Sequence, residues 1–319
     1  MNFFGKTNID FLGKRRTWFI ASIIISLICL ILPFFGVRYG IDFTGGTEGA
    51  VAFKTPVATE SVREAMTKAG FGGSEIKDYG EKGQYLIRVG NEADAPERMI
   101  NGLKTAFPDN QITILKMDKI GPKVGSELRT QALLAVFLSI VAILLYVAFR
   151  FEFVYGLGAI IAIVHDVIVA IGAVVIVQKL GLFNLDADQS VLAALLTVIG
   201  FSINDTVIIF DRIRENKEKH KTMPLIPLMN LSLNETLSRT INTVLTVAVV
   251  LLVMIFFGGD VLRGFSFVMF IGIVVGSYSS IYIASGFVVW YYEHVKKVNV
   301  ESGSASAVEA TAKSHVVKL

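Results

Sequence analysis

Residues 190–210 read SVLAALLTVIGFSINDTVIIF, a run of 21 residues whose one charged side chain is Asp205. That length crosses a bilayer as a helix. An ionised Asp near the centre of a membrane helix costs roughly 2.5 to 3.5 kcal/mol on insertion scales, and less toward the ends. Leucine would avoid that cost, so Asp205 marks a functional position that faces protein or water rather than lipid. The segment after it, DRIRENKEKHK (Asp211–Lys221), is charged enough to lie in water.

Working outward, the whole chain is too apolar for an ordinary soluble domain: 53% of its 319 residues are hydrophobic and 18% charged, with a mean hydropathy of +0.60. Six apolar windows stand out, at Trp18–Gly36, Thr130–Ala148, Val154–Val177, Ser190–Phe210, Arg239–Phe257 and Gly264–Tyr292. The last exceeds one crossing and must tilt or emerge from the lipid. Lys14, Arg15 and Arg16 precede the first window, but no small-x-small cleavage site follows it, so it reads as an uncleaved anchor. With residues 1–17 in the cytoplasm, Arg150 and the cluster Arg212, Arg214, Lys217, Lys219 and Lys221 fall inside. The short outer loops then keep only Lys179 and Arg263. This is the positive-inside pattern. It puts both termini in the cytoplasm, with a polar, small-residue tail over 293–319 expected to be disordered.

Residues 37–128 form the one long insertion, on the extracytoplasmic side. Glu48–Phe53 alternates as a strand does, and Thr59–Ala69 carries a helical stripe opened by a Thr cap. Glu75–Tyr79 and Tyr85–Val89 flank a Gly-rich turn, Pro96–Phe107 is amphipathic, and Gln111–Met117 is strand-like. The order βαββαβ predicts a ferredoxin-like α/β domain set into a polytopic helical bundle whose remaining spans occupy 129–292.

Little chemistry of other kinds is present. A lone Cys29 excludes an intramolecular disulfide and a Cys-based metal site. The four histidines are scattered without HExxH spacing, and no G-x-x-x-x-G-K-[ST] loop exists to hold ATP. No catalytic residue, metal or cofactor is therefore expected.

Six motifs follow one another in a distinctive order: YGIDFTGGTE (Tyr39–Glu48), GPKVGSEL (Gly121–Leu128), HDV (His165–Val167), GFSINDTVIIFDRIREN (Gly200–Asn216), NETLSRTINT (Asn234–Thr243) and the glycine-rich Phe257–Ser285. Together they closely resemble SecF-type members of the SecD/SecF family of protein-export subunits, within the RND superfamily. The resemblance runs from Trp18 to Tyr292. Phe201 stands where the family often has Tyr. Ending after one six-span unit, the chain is similar to the separate-subunit form rather than to SecD–SecF fusions.

The resemblance implies a six-span RND-type bundle in the bacterial inner membrane. It implies a heterodimer with SecD that uses the proton motive force to help SecYEG complete preprotein translocation, with no nucleic acid involved. Its proton-path positions fall on Asp205 and Arg239. Spacing allows that pairing, because Asp205 lies about 7 to 8 Å above the end of its span and Arg239 stands at the foot of the next, with a side chain that can reach upward. A nearby cation favours the ionised carboxylate, and its withdrawal favours proton uptake. Arg239 can equally snorkel to lipid phosphates, and Arg212, seven residues after Asp205, is a rival partner. Asp166 is a weaker relay candidate or a structural carboxylate. Asn204 and Ser202 are expected to hydrogen-bond inside the bundle, Ser202 on the Asp205 face. Gly272, Gly276, Ser280 and Ala284 make a small-residue face for helix packing, against this chain or SecD. Asp42, Gly45 and Gly46 read as a hinge or turn beneath the outer domain, with GPKVGSEL in the matching role at the return.

Two other functions share parts of this pattern. An RND-type exporter of lipids or small molecules would use the same bundle. An intramembrane aspartyl protease would use Asp166 and Asp205, but it needs a G-x-G-D context where this chain reads GFSIND.

Overall fold

A computed structural model of the chain describes residues 7–183, 185–297 and 299–300; most of the tail expected to be disordered lies outside these. Among the described residues six helices are long and apolar enough to cross a membrane. The first is α1 (Arg15–Ile31), continued by a 3₁₀ turn to Phe35. A short helix, α2 (Ile41–Thr44), leads into the outer domain.

That domain runs β1 (Gly46–Phe53), α3 (Thr59–Lys68), β2 (Glu75–Asp78), β3 (Gln84–Val89), α4 (Ala95–Ala106) and β4 (Ile112–Ile120). The strands lie in the order β2-β3-β1-β4, all neighbours antiparallel, which is the ferredoxin-like arrangement. Period-two alternation divides the faces. Val51, Phe53, Ile87 and Val89 pack with Val62 and Met66 of α3 and Met99 and Leu103 of α4. Glu48, Arg88 and Glu75 are cross-strand neighbours on the other face. The cap of α3 is Ala58, which makes no side-chain bond, and Thr59 is already helical; the expected Thr cap is displaced by one residue.

The remaining spans are α5 (Pro122–Arg150), α6 (Phe153–Leu180), α7 (Gln189–Lys219), α8 (Leu225–Phe257) and α9 (Gly259–Ser279). The last span goes on through a π-helical turn (Ser280–Ala284), α10 (Ser285–Trp290) and a second π turn to Val295. Burial sorts them. Half of the apolar window of α6 and of the last span is inside the molecule, against 6% for α5 and 11% for α1 and α8. The bundle core is therefore α6, α7 and α9, with a wide apolar surface left on α1, α5 and α8.

Two boundaries differ from the apolar windows. GPKVGSEL is the start of α5 and not a hinge loop, because Pro122 occupies the first helical turn, where its fixed φ suits the helix. α8 begins fourteen residues before Arg239. Its polar opening segment packs its Leu228, Leu233 and Leu237 into the same core as Ile209, Phe210 and Ile213 of α7.

The expected small-residue face finds its partners within this chain. A Cβ on Gly272 would come within 2.1 Å of Val198 of α7, and one on Gly276 would come 3.3 Å from Cβ of Ser202 and 3.5 Å from Asp166. Ser280 shares a 2.8 Å hydrogen bond with Thr206. Gly158 of α6 abuts the Ala284 carbonyl.

Candidate functional site

Asp205 is buried, 7% exposed, on the face of α7 that looks between α8 and α9. It lines a cavity of about 10 Å³ with Ser202, Thr243, Val247 and Gly276 among its neighbours, about the least a single water requires. Among the described residues Asp205 makes no hydrogen bond and no ion pair within 4 Å.

Position along the hairpin relates Asp205 to Arg239. Asp205 lies fourteen residues before the last residue of α7, Lys219, and Arg239 fourteen after the first of α8, Leu225. At 1.5 Å per residue both stand about 21 Å from the connecting turn. Arg239 is thus in the interior of its helix, exposed, at the residue where the apolar part of α8 begins. Below them the hairpin is laced by polar contacts. Arg212 donates to Glu235 at 2.7 Å and to Glu215 at 2.5 Å. Asn216 donates to Ser232 at 3.0 Å and to Glu235 at 2.5 Å. Arg212, the rival partner, is committed to these glutamates.

Asp166 has a different environment. Its Oδ2 accepts from Ser202 at 2.6 Å and from Ser279 at 2.8 Å, and its Oδ1 lies 3.0 Å from His165 Nδ1. One carboxylate thereby ties α6 to α7 and α9. Ser202 points its hydroxyl to Asp166 and its Cβ side to the Asp205 cavity. Asn204 departs from expectation: it is exposed on the outer side of α7 and has no hydrogen bond among the described residues. One residue is a 100° rotation on a helix, which turns Asn204 away when Asp205 faces inward.

At the other end, the DFTGG segment joins the domain to the bundle. Asp42 Oδ2 accepts the backbone N–H of Gln189, in the first turn of α7, at 2.9 Å, while Asp188 caps the same helix through Val191. Gly45 and Gly46 have φ of +72° and +131°, conformations that disfavour any side chain. A Cβ on Gly46 would also meet the Val89 carbonyl at 2.9 Å. The segment is a tight, packed turn. Beside it the Gly40 N–H donates to the Ala187 carbonyl and the Ala187 N–H to the Arg38 carbonyl, and Gln178 clamps both backbone groups of Arg38.

One cluster escaped sequence reading. The charged face of the sheet meets the loop between α6 and α7, where Arg88 bonds Glu48 at 2.6 Å and Asp186 at 2.8 Å. Lys77 joins Glu75 at 2.7 Å and Asp186 at 3.6 Å, and Lys116 reaches Glu48 at 3.3 Å. Burial works against charge on Arg88, yet Glu48 and Asp186 outweigh it and hold its pKa above the ordinary value. Burial likewise disfavours the Glu75 carboxylate, but Lys77, Arg88 and Arg38 outweigh it and hold its pKa below the ordinary 4.5. The available signal was LDADQS (Leu185–Ser190), carboxylates with no stated task at the head of a span.

Comparison with known proteins bears on this whole arrangement. The family profile "Protein export membrane protein SecD/SecF, C-terminal" matches residues 101–294, and the "SecD/SecF GG Motif" matches residues 30–57, which include Asp42, Gly45 and Gly46. The chain belongs to the SecD/SecF family. Within that family it is 40% identical over 290 residues to the protein translocase subunit SecF of Calditerrivibrio nitroreducens, covering 88% of this chain and 93% of that one. It is 37% identical to the SecF subunit of Pseudomonas aeruginosa, with 88% and 91% covered. The fold matches the crystal structure of SecDF, a translocon-associated membrane protein from Thermus thermophilus, with a TM-score of 0.80 and 37% identity over 90% of this chain. The chain spans 39% of that longer protein.

Proposed function

We propose that this SecD/SecF-family chain works with a SecD partner as a proton-driven accessory of the SecYEG translocon, in the bacterial inner membrane with both termini cytoplasmic. Asp205 is the group that loads and releases the proton and Arg239 is its modulating cation. The observation that carries this reading is a buried carboxylate, without an ion pair, level with an arginine on the facing helix. Approach of Arg239 favours the ionised form of Asp205; separation favours its protonation. A charge moved across the membrane potential is worth about 2.3 kcal/mol per 100 mV, enough to bias an outer domain between two poses. Asp166, satisfied by two serines and His165, serves to hold α6, α7 and α9 together rather than to carry protons. That commitment also leaves no carboxylate pair for proteolysis.

The test is late-stage preprotein translocation into inverted vesicles, with and without a protonophore, at matched subunit levels. Asp205→Asn should abolish the protonophore-sensitive stimulation while assembly with SecD persists. Full retention of that stimulation would refute the relay.

A further inference from the structure

At the end of the bundle away from the outer domain, the segment Ile9–Leu12 is seated on α8 by two asparagines one helical turn apart. Asn234 accepts the Ile9 N–H at 2.8 Å and donates to the Ile9 carbonyl at 2.8 Å, and its amide also bonds the Asn230 carbonyl at 2.8 Å. Asn230 accepts the N–H groups of Phe11 and Leu12, each at 3.1 Å, and donates to Asp10 Oδ1 at 2.7 Å. An asparagine amide offers donors and an acceptor together, so it can read a main chain whatever its side chains. Phe11 and Leu12 are 7% and 0% exposed, in the core they share with Phe210 of α7 and Leu233 of α8. Beyond the segment, Arg15 and Arg16 each pair with Glu293, near the end of the last span, at 3.3 Å. Residues 9–16 thus strap the start of α8 to the start of α1 and the end of the last span.

Burial shows where α8 is held. Among the described residues its buried side chains run from Leu225 to Thr240, followed only by Ala248 and Leu251. Of its apolar window, 11% is inside the molecule. The helix is gripped at its foot, and its tilt is set there. Arg239 stands in the last turn of the gripped part, five residues or about 7.5 Å past Asn234. One flank of the foot is tied to α7, the helix of Asp205, through Glu235 and Ser232. The other flank is tied to the strap. We infer that Asn230 and Asn234 are positioning residues: through the strap they fix the tilt of α8, and with it the place of Arg239 relative to Asp205. The inference rests on the relay reading above.

The test measures the α7–α8 spacing and export in the assembled SecD complex. Spin labels at Thr197 and Leu245, exposed residues of α7 and α8, report the spacing by pulsed electron resonance, in a Cys29→Ala chain with a cysteine-free SecD partner. Asn230→Asp sets a carboxylate against Asp10. It should broaden the distance distribution and lower protonophore-sensitive stimulation per assembled complex about two- to tenfold, the worth of one strap hydrogen bond. Asp10→Asn alone keeps an acceptor for Gly13 and Asn230 and should change neither readout. Asp10→Asn with Asn230→Asp exchanges donor and acceptor across the contact and should restore both, a rescue that lost packing within α8 would not show. Should Asn230→Asp fail to assemble, Asn234→Asp, which turns an oxygen toward the Ile9 carbonyl, decides by the same readouts. Unchanged spacing, or lost stimulation without a change in spacing, would overturn the proposal, as would a double variant that fails to recover. Broadened spacing in a protein whose Asp205→Asn form keeps full stimulation would instead sink the relay and leave the strap's hold on α8 standing.

Discussion

Arg88 in the outer sheet and Asp186 in the loop between the third and fourth spans meet at 2.8 Å. The domain is therefore held to the bundle by charge as well as by its two covalent connections. Arg88 is also the cross-strand neighbour of both Glu48 and Glu75, so a single guanidinium joins β1, β2, β3 and the membrane bundle.

Breaking that contact should remove the shortest ion pairs of Glu48 and Asp186, which keep longer ones to Lys116 and Lys77. Arg88→Met is expected to cost about 1 to 3 kcal/mol of stability, because its charge-assisted hydrogen bonds to Glu48 and Asp186 are lost together. Asp186→Asn should cost less, since Glu48 still pairs with Arg88. Limited proteolysis of the outer domain, together with thermal unfolding of the full chain in detergent, measures both. If the pair is coupled, the double variant will lose less than the sum of the singles.

The clamp should weaken with acid. Glu75 has its folded pKa held below the ordinary 4.5, so its contribution is fully present above about that pH and is lost as pH falls through the folded value. Lys116 runs the other way: its pKa is raised above 10.5, as the bonds and charges of Asp118 and Glu48 outweigh the burial that opposes them. Its contribution is full below 10.5 and fades only as pH rises beyond. Protease susceptibility of the domain junction should be flat between about pH 5 and 10 and should rise below pH 4.5; Glu75→Gln should remove most of the acid-side increase.

Close packing of α9 on α7 predicts a size effect. Gly272→Ala places a methyl 2.1 Å from a Val198 methyl as the helices stand, and overpacking of this kind costs about 1 to 3 kcal/mol. Val198→Ala in the same chain should restore most of the loss. Thermal unfolding in detergent and yield of the SecD complex are the readouts.

The two membrane aspartates should separate by phenotype. Asp166→Leu leaves the Ser202 and Ser279 hydroxyls without their acceptor in the bundle core, and is expected to lower stability and complex yield. Asp166→Asn retains an acceptor and should assemble. Asp205→Asn and Arg239→Met should assemble normally and lose protonophore-sensitive stimulation. Arg239→Lys, which keeps the charge without the planar fork, should lose it in part. Translocation into inverted vesicles, normalised to assembled complex, distinguishes them.

Apolar windows, loop charges and strand alternation sufficed to place six spans and a βαββαβ domain, because each signal is local: a bilayer demands about twenty apolar residues, and a half-buried sheet demands period two. The lone carboxylate of SVLAALLTVIGFSINDTVIIF was equally plain, since its cost in lipid depends on composition alone. Helix ends beyond the lipid were not legible this way. Leu225–Ser238 and Pro122–Arg129 are helical because neighbouring helices or a proline-started first turn hold them, and polarity hides that from a hydropathy window. Partner choice was likewise closed to the sequence. Whether Asp166 meets serines, whether Arg212 is occupied by Glu235, and whether Asp186 faces a strand arginine far away in the chain depend on which faces the helices turn to one another. Those rotations are decided by side-chain packing at Gly272, Gly276 and Gly158, where the absence of a Cβ brings two helices together and sets which polar groups fall within reach.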